Sequence, residues 1–251
     1  MINCRLTMKR GKSSAGAFLS DEGRVVFDGR SVRPLPGTSL IPGSHGSSCC
    51  VLSTGGIRFL IHHIGINILE DAMLERCAGE NETTKEYVEN GGFAWGSFDV
   101  KSAFLLADYC EPVLNVENDI VEPCYRTIYV KTPGTLFPDC IADLEAGSLD
   151  PKLPRVFTAV KALYGLPHSP YSWEIYRDAI VEKRLHLSRV PSEPALFESS
   201  NIRPVARRID GEWEVKGVVD PTSCGTHVDD FMICGSGGEY DVLCEKMKRN
   251  F

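Results

Sequence analysis

Apolar and polar residues change period several times along the chain, and each change predicts an element. From about Ile57 to Arg76, the residues Ile57, Leu60, Ile61, Ile64, Ile68 and Ala72 recur at helical spacing. That spacing predicts one long helix, weakened at Gly65. In GGFAWGSFDVKSAFLLADY the period becomes two: Phe93, Trp95, Ser97 and Asp99 share one face of a strand that ends at Asp99, and a different apolar run starts at Ser102. RTIYVKTPG reads as a strand. RVFTAVKALYGLPHSPYSWEIYRDAIVEKRLHL reads as a strand and turn leading into an amphipathic helix. Ser169 is placed as N-cap, Pro170 in the first turn, and Trp173, Tyr176, Ile180 and Leu187 along one apolar stripe. In GTHVDDF, apolar runs flank Asp229 and Asp230, the pattern of a hairpin with adjacent carboxylates at its tip. Residues 34 to 56, rich in Gly, Pro and Ser, read as a long loop, and the polar stretch CAGENETTKEYVENGG closes the first helical unit. No internal repeat is present.

Composition narrows the class. A chain of 251 residues, 43% hydrophobic and 24% charged, can bury a sizeable core as one large domain or two smaller ones. No apolar run is long enough to span a bilayer, and the start, MINCRLTMKRGKSS, lacks the apolar core of a signal peptide. The expectation is a soluble, intracellular, cytoplasmic protein with no membrane partner. The 10 cysteines are scattered without zinc-like spacing, which favours reduced, mostly buried thiols over disulfides. His62 and His63 are neighbours that point apart on a helix, so they read as structural.

The net charge of -7 argues mildly against nucleic-acid binding. The average conceals an asymmetry. Residues 1 to 34 carry Arg5, Lys9, Arg10, Lys12, Arg24, Arg30 and Arg33 against Asp21, Glu22 and Asp28. This segment suits phosphate contact, although solvated basic surface is the commoner explanation.

The candidate chemistry lies in carboxylates. Asp229 and Asp230 are adjacent like charges, so the pair is either an ordinary solvated turn or half of a metal site. Asp99 stands where a strand ends, a common place for ligand sites, although on this stretch alone capping of the short helix that follows is the favoured reading. The helix starting at Ser169 presents free backbone N–H groups after the turn YGLPHSP, in position to face a phosphate or a base pair.

Five blocks in this order, FDVKSAFL, IYVKTPG, VKALYGLPHSPYSW, SEPALF and HVDDFMICGS, resemble the reverse transcriptase domain of copia-type LTR retrotransposons. The resemblance covers about residues 93 to 251; residues 1 to 92 are similar to the fingers region less closely, through CRLTMKRG and GGIRFLIHHI. It implies an α+β fold, a fingers-palm polymerase fragment whose palm is an antiparallel sheet backed by helices. Residues 1–92 would be fingers-like and 93–251 the palm-like catalytic region. The family's later lysine motif, thumb and RNase H domain have no counterpart in this chain, which as it stands is expected to extend primers poorly or not at all.

In such polymerases the aspartate of DVK and the two of VDD hold two Mg2+ ions roughly 3.5 to 4 Å apart, with Mn2+ as a substitute. By that resemblance Asp99, Asp229 and Asp230 are the catalytic carboxylates and metal ligands, with the Val100 carbonyl assisting. Phe104 is the aromatic gate under the sugar, where a ring leaves no room for a 2'-hydroxyl. Tyr164, Gly165 and Pro170 pack around the nascent base pair, while Lys101 and Arg5 contact the triphosphate. The implied partners are an RNA or DNA template-primer and deoxynucleoside triphosphates, within a larger polyprotein and, for an active element, a virus-like particle. His227 departs from the family's usual Tyr. Polar stretches at about 108 to 126, 138 to 154 and 199 to 224 look inserted relative to the family pattern, either as lineage-specific loops or as translated non-coding sequence. Two other readings stand beside this one: a non-catalytic remnant that keeps the palm fold, and an unrelated metal-dependent phosphotransferase.

Overall fold

The computed structural model describes residues 2–12, 18–27, 49–77, 82–115, 117–132, 155–209 and 212–251. The chain mixes helices with mostly antiparallel strands, which is compatible with the α+β class. It divides into two compact units, Met1–Cys49 with Ser102–Tyr176, and Cys50–Lys101 with Arg177–Phe251. Among the described residues no helix is long and apolar enough to cross a membrane.

In the first unit, strands β1 (Ile2–Lys12) and β2 (Phe18–Phe27) form an antiparallel hairpin. The second-unit elements α1 (Thr54–Cys77), α2 (Glu82–Glu89) and β3 (Phe93–Asp99) come next in the chain. The first unit resumes with a 3-10 turn, Ala103–Leu106, and the antiparallel pair β4 (Cys110–Asn115) and β5 (Ile120–Tyr125). Strands β6 (Ile128–Thr132) and β7 (Arg155–Ala159) complete a sheet of order β2-β1-β6-β7, in which only the β1 and β6 pair is parallel. Ala107, Tyr109, Ile128, Ala162 and Leu166 form its buried cluster, with Phe104, Leu163 and Tyr176 packed against it. Glu111 is fully buried and offset by Arg126 at 3.1 Å, while the Tyr109 hydroxyl donates to Glu111 at 3.2 Å. Burial, then the Glu111 charge, pushes the Tyr109 hydroxyl well above the usual phenol range.

Helix α3 (Ser169–Lys183) begins in the first unit and continues into the second. The second unit is a five-stranded antiparallel sheet of order β3-β11-β10-β9-β8, built from β3 with β8 (Ser188–Val190), β9 (Glu193–Ile209), β10 (Glu212–His227) and β11 (Asp230–Ser236). Helix α4 (Gly237–Asn250) closes the chain. Two glycines show how tightly helices approach this sheet. A Cβ at Gly225 would collide with Leu52 and Leu60 of the α1 side, and one at Gly96 would collide with the Tyr240 hydroxyl of α4. Gly225 stands opposite Met232, which stands opposite Ser97, whereas Gly96 stands opposite Ile233. The two glycines therefore lie on opposite faces, α1 covering one and α4 the other.

Several sequence expectations need correction. Helix α1 starts at Thr54, three residues before the expected Ile57, because Ser53 caps it: the Gly56 N–H donates to Ser53 Oγ at 3.0 Å. Its buried residues include Leu60, Ile64, Asn67 and Leu74, while Ile57, Ile61, Ile68 and Ala72 face outward. The stretch CAGENETTKEYVENGG contains helix α2, whose Tyr87 and Val88 pack on Leu74. Ser169 does not cap α3; its hydroxyl donates to the Leu163 carbonyl at 2.6 Å, and Leu187 falls beyond the helix end. The stretch at 199–224, expected at a loop position, is a backbone ladder pairing Ser199 with Thr222 through to Ile209 with Glu212. That at 108–126 holds the hairpin of β4 and β5. The expected loop over residues 34–48 and the insertion at 138–154 lie outside the described residues.

The cysteine expectation is testable by alkylation. Cys110, Cys224 and Cys234 are buried and form no disulfide, and burial pushes the Cys224 thiol up to about 12. Because the thiolate is the nucleophile, iodoacetamide at neutral pH is expected to modify exposed Cys50 and Cys124 in the folded protein and to spare Cys224. Peptide mass spectrometry checks this, and rapid labelling of Cys224 without denaturant would show that the sheet is not closed as described.

Candidate functional site

The site is built at one end of the second unit's sheet. Strand β10 ends at His227 and β11 begins at Asp230, and these two residues are register partners, so Val228 and Asp229 form a two-residue loop. Val228 has φ 56, and Asp229 is not among the positive-φ residues. That is the type II′ pattern, which usually places glycine first. A β-branched residue there is strained, and such strain persists only where its surroundings enforce it.

Those surroundings are visible. Asp230 pairs with Asp99 across β11 and β3. The Val100 N–H, just past the end of β3, donates to the Asp229 carbonyl at 3.0 Å. From the other flank the Leu52 N–H donates to the Thr226 carbonyl at 3.0 Å, next to the bridge between Val51 and His227. The hairpin tip is thus held on both sides by backbone, which fixes Asp229 and Asp230 relative to Asp99 without help from side chains.

Direct cross-strand partners have Cβ atoms about 4.5–5.5 Å apart, and like charges so placed are unfavourable by about 0.2–1 kcal/mol. Asp99 and Asp230 are exposed, and Asp229 is half-buried. None of the three carboxylate groups makes a hydrogen bond or ion pair with another described residue. Their oxygens are available to water or a cation. Three carboxylates and a backbone carbonyl are hard donors, the set that Mg2+ takes. Among the described residues, however, no three His, Cys, Asp or Glu side chains gather around one point closely enough to hold an ion. The backbone brings the carboxylates near one another, and the side chains are not folded into a cage.

The capping alternative for Asp99 does not hold. The 3-10 turn is preceded by Ser102 with φ 55, and no side chain caps it. Lys101 is exposed between β3 and that turn, and Val100 is buried.

The other candidate residues belong to the first unit. Phe104 and Tyr164 are half-buried, with ring centroids 5.1 Å apart and planes tilted by 48°. Gly165 has φ 92, a conformation that disfavours any side chain and lets the chain turn sharply into LPHSP. Pro170 sits in the first turn of α3. Arg5 lies on β1 opposite Val26, and its side chain is outside the described residues.

Sequence reasoning missed the clamp that joins Phe104 to Tyr164. Lys161 Nζ reaches Asp108 at 2.7 Å and donates to the Leu106 carbonyl at 3.2 Å, and the Ala162 N–H donates to the Ala107 carbonyl at 2.9 Å. Further along, the Cys110 N–H donates to Ser172 Oγ at 3.0 Å, tying β4 to the first turn of α3. No spacing rule could have found these contacts, because the partners are far apart in sequence.

Comparison of the chain with protein-family models, curated proteins and solved structures gives no match.

Proposed function

We propose that the chain is a reverse transcriptase domain, an RNA-directed DNA polymerase of fingers-palm type that uses two Mg2+ ions. The observation that supports this best is the register that sets Asp230 opposite Asp99 with Asp229 pinned by Val100. It gives the two carboxylate motifs of the sequence one shared strand end. When bound, the metals would activate the primer 3'-hydroxyl and stabilise the departing pyrophosphate.

The chain's own residues have separate tasks. Asp99, Asp229 and Asp230 supply the oxygens that hold the cations, helped by the Val100 carbonyl. Phe104, braced by Tyr164, forms the floor under the sugar. Gly165 and Pro170 shape the turn against the nascent pair, and Arg5 and Lys101 meet the triphosphate. The template duplex would be held through its backbone and shape, mainly by the basic N-terminal segment, so binding weakens steeply with salt.

The test is primer extension on an RNA template with the four deoxynucleotides and either Mg2+ or Mn2+ at low salt. Template-dependent incorporation, however slow, supports the reading, and a chain that neither incorporates nucleotides nor binds a template-primer with either cation overturns it. The second reading is a non-catalytic remnant that keeps the fold. Duplex binding without incorporation is its signature.

The same assay reads sugar selectivity. Phe104→Ala removes the ring and leaves the aspartates untouched, so it is expected to admit ribonucleotides at least about tenfold better relative to deoxynucleotides, a difference of some 1.4 kcal/mol. An unchanged ratio would assign Phe104 to core packing alone.

A further inference from the structure

Helix α1 buries one stripe and leaves its opposite side apolar. Ile61 is 58% exposed, Ile68 47% and Leu69 66%. On the helical wheel the outward face resolves into two rows at heptad spacing. Arg58, Gly65 and Ala72 form one, and Ile61, Ile68 and Glu75 form the other.

Gly65 is informative. A Cβ there would meet nothing within 4 Å among the described residues, so none of them requires a glycine in the middle of this helix, where glycine weakens helical structure. A glycine facing outward lets another helix approach closely.

The charges say which helix. Arg58 and Glu75 are exposed at opposite ends of the rows, and neither is ion-paired with another described residue. Laid antiparallel on a second α1, the rows interlock. Gly65 receives the partner's Ile68, Ala72 receives the partner's Ile61, and Arg58 meets the partner's Glu75. The last contact occurs twice by symmetry. A parallel pairing would instead set Arg58 against Arg58 and Glu75 against Glu75.

We propose that the outward face of α1 is a homodimer interface in which two copies pack antiparallel through Ile61, Gly65, Ile68 and Ala72, locked by two symmetric ion pairs of Arg58 with Glu75. The inference does not rest on the polymerase reading.

Sedimentation velocity of the full chain across a concentration series tests it, with Arg58→Glu, Glu75→Arg and the double variant alongside. Each single change sets like charges together twice and is expected to raise the dimer dissociation constant at least about tenfold. The double variant swaps the charges and returns the constant to within about threefold of the parent. Both substitutions suit the helix dipole, so folding is preserved: the first puts a carboxylate near the N-terminus of α1 and the second a guanidinium near its C-terminus. Hydrogen exchange on the unmodified chain gives an independent readout, with protection over residues 57–76 rising with concentration. A chain that stays monomeric at every concentration would overturn the proposal. So would a dimer indifferent to the single charge changes, or one whose protection lies outside α1.

Discussion

Asp99→Asn and Asp229→Asn are each expected to reduce templated deoxynucleotide incorporation by at least about a thousandfold while leaving the fold intact. Replacing one carboxylate with an amide removes a charge from the donor set, and a bound metal contributes several kcal/mol of transition-state stabilisation, at about 1.4 kcal/mol per factor of ten. The amide has the carboxylate's shape. Asp230→Asn relieves the unfavourable pairing with Asp99, so that variant is expected to gain about 0.2–1 kcal/mol in stability as activity falls. Opposite signs in the two measurements are what a functional carboxylate pair predicts. Incorporation at the parent's rate by Asp99→Asn would remove these residues from the mechanism.

Phe231→Ala should act in the opposite sense, on the scaffold first. Phe231 is 1% exposed, lies next to Asp230, and stacks obliquely on Phe251 with ring centroids 5.2 Å apart. Truncating a buried aromatic removes its transfer energy and leaves a cavity that the sheet fills only in part, a cost of about 3–5 kcal/mol. The urea midpoint of the second unit should fall steeply, with activity lost as a consequence. A midpoint within experimental error of the parent would mean that β11 and α4 do not pack as described.

The legible elements were those whose period stayed uniform. Strand β3 alternates cleanly and stops at Asp99, and the hairpin at Asp229 has apolar runs on both sides, so both were readable. The buried face of α1 was not, because apolar residues surround that helix and periodicity alone cannot choose a side. Helix α2 was hidden by polar composition, since only Tyr87 and Val88 anchor it on Leu74. The long ladder of β9 and β10 was mistaken for a loop because Pro204, Gly217 and Pro221 break its strand propensity, although the backbone pairs through all three positions. Within the candidate site, sequence order supplied the identities of Asp99, Asp229 and Asp230. It could not supply the hydrogen bond from Val100 or the left-handed Val228, which depend on backbone geometry.

The pairing of β3 with β11 also sets a timetable for the nascent chain. Every residue of the first unit's second segment is synthesised between those strands, so the end of β3 waits through that whole interval without its neighbour. Closing so long a loop costs entropy that is recovered only when β11 zips onto β3. Asp99 and Asp230 therefore come into register late in folding, and a cation cannot serve as an early nucleus. A chain stalled on the ribosome before Asp230 would hold half of an acidic pair on an open strand edge, a template for mispairing with other chains until the last hairpin arrives.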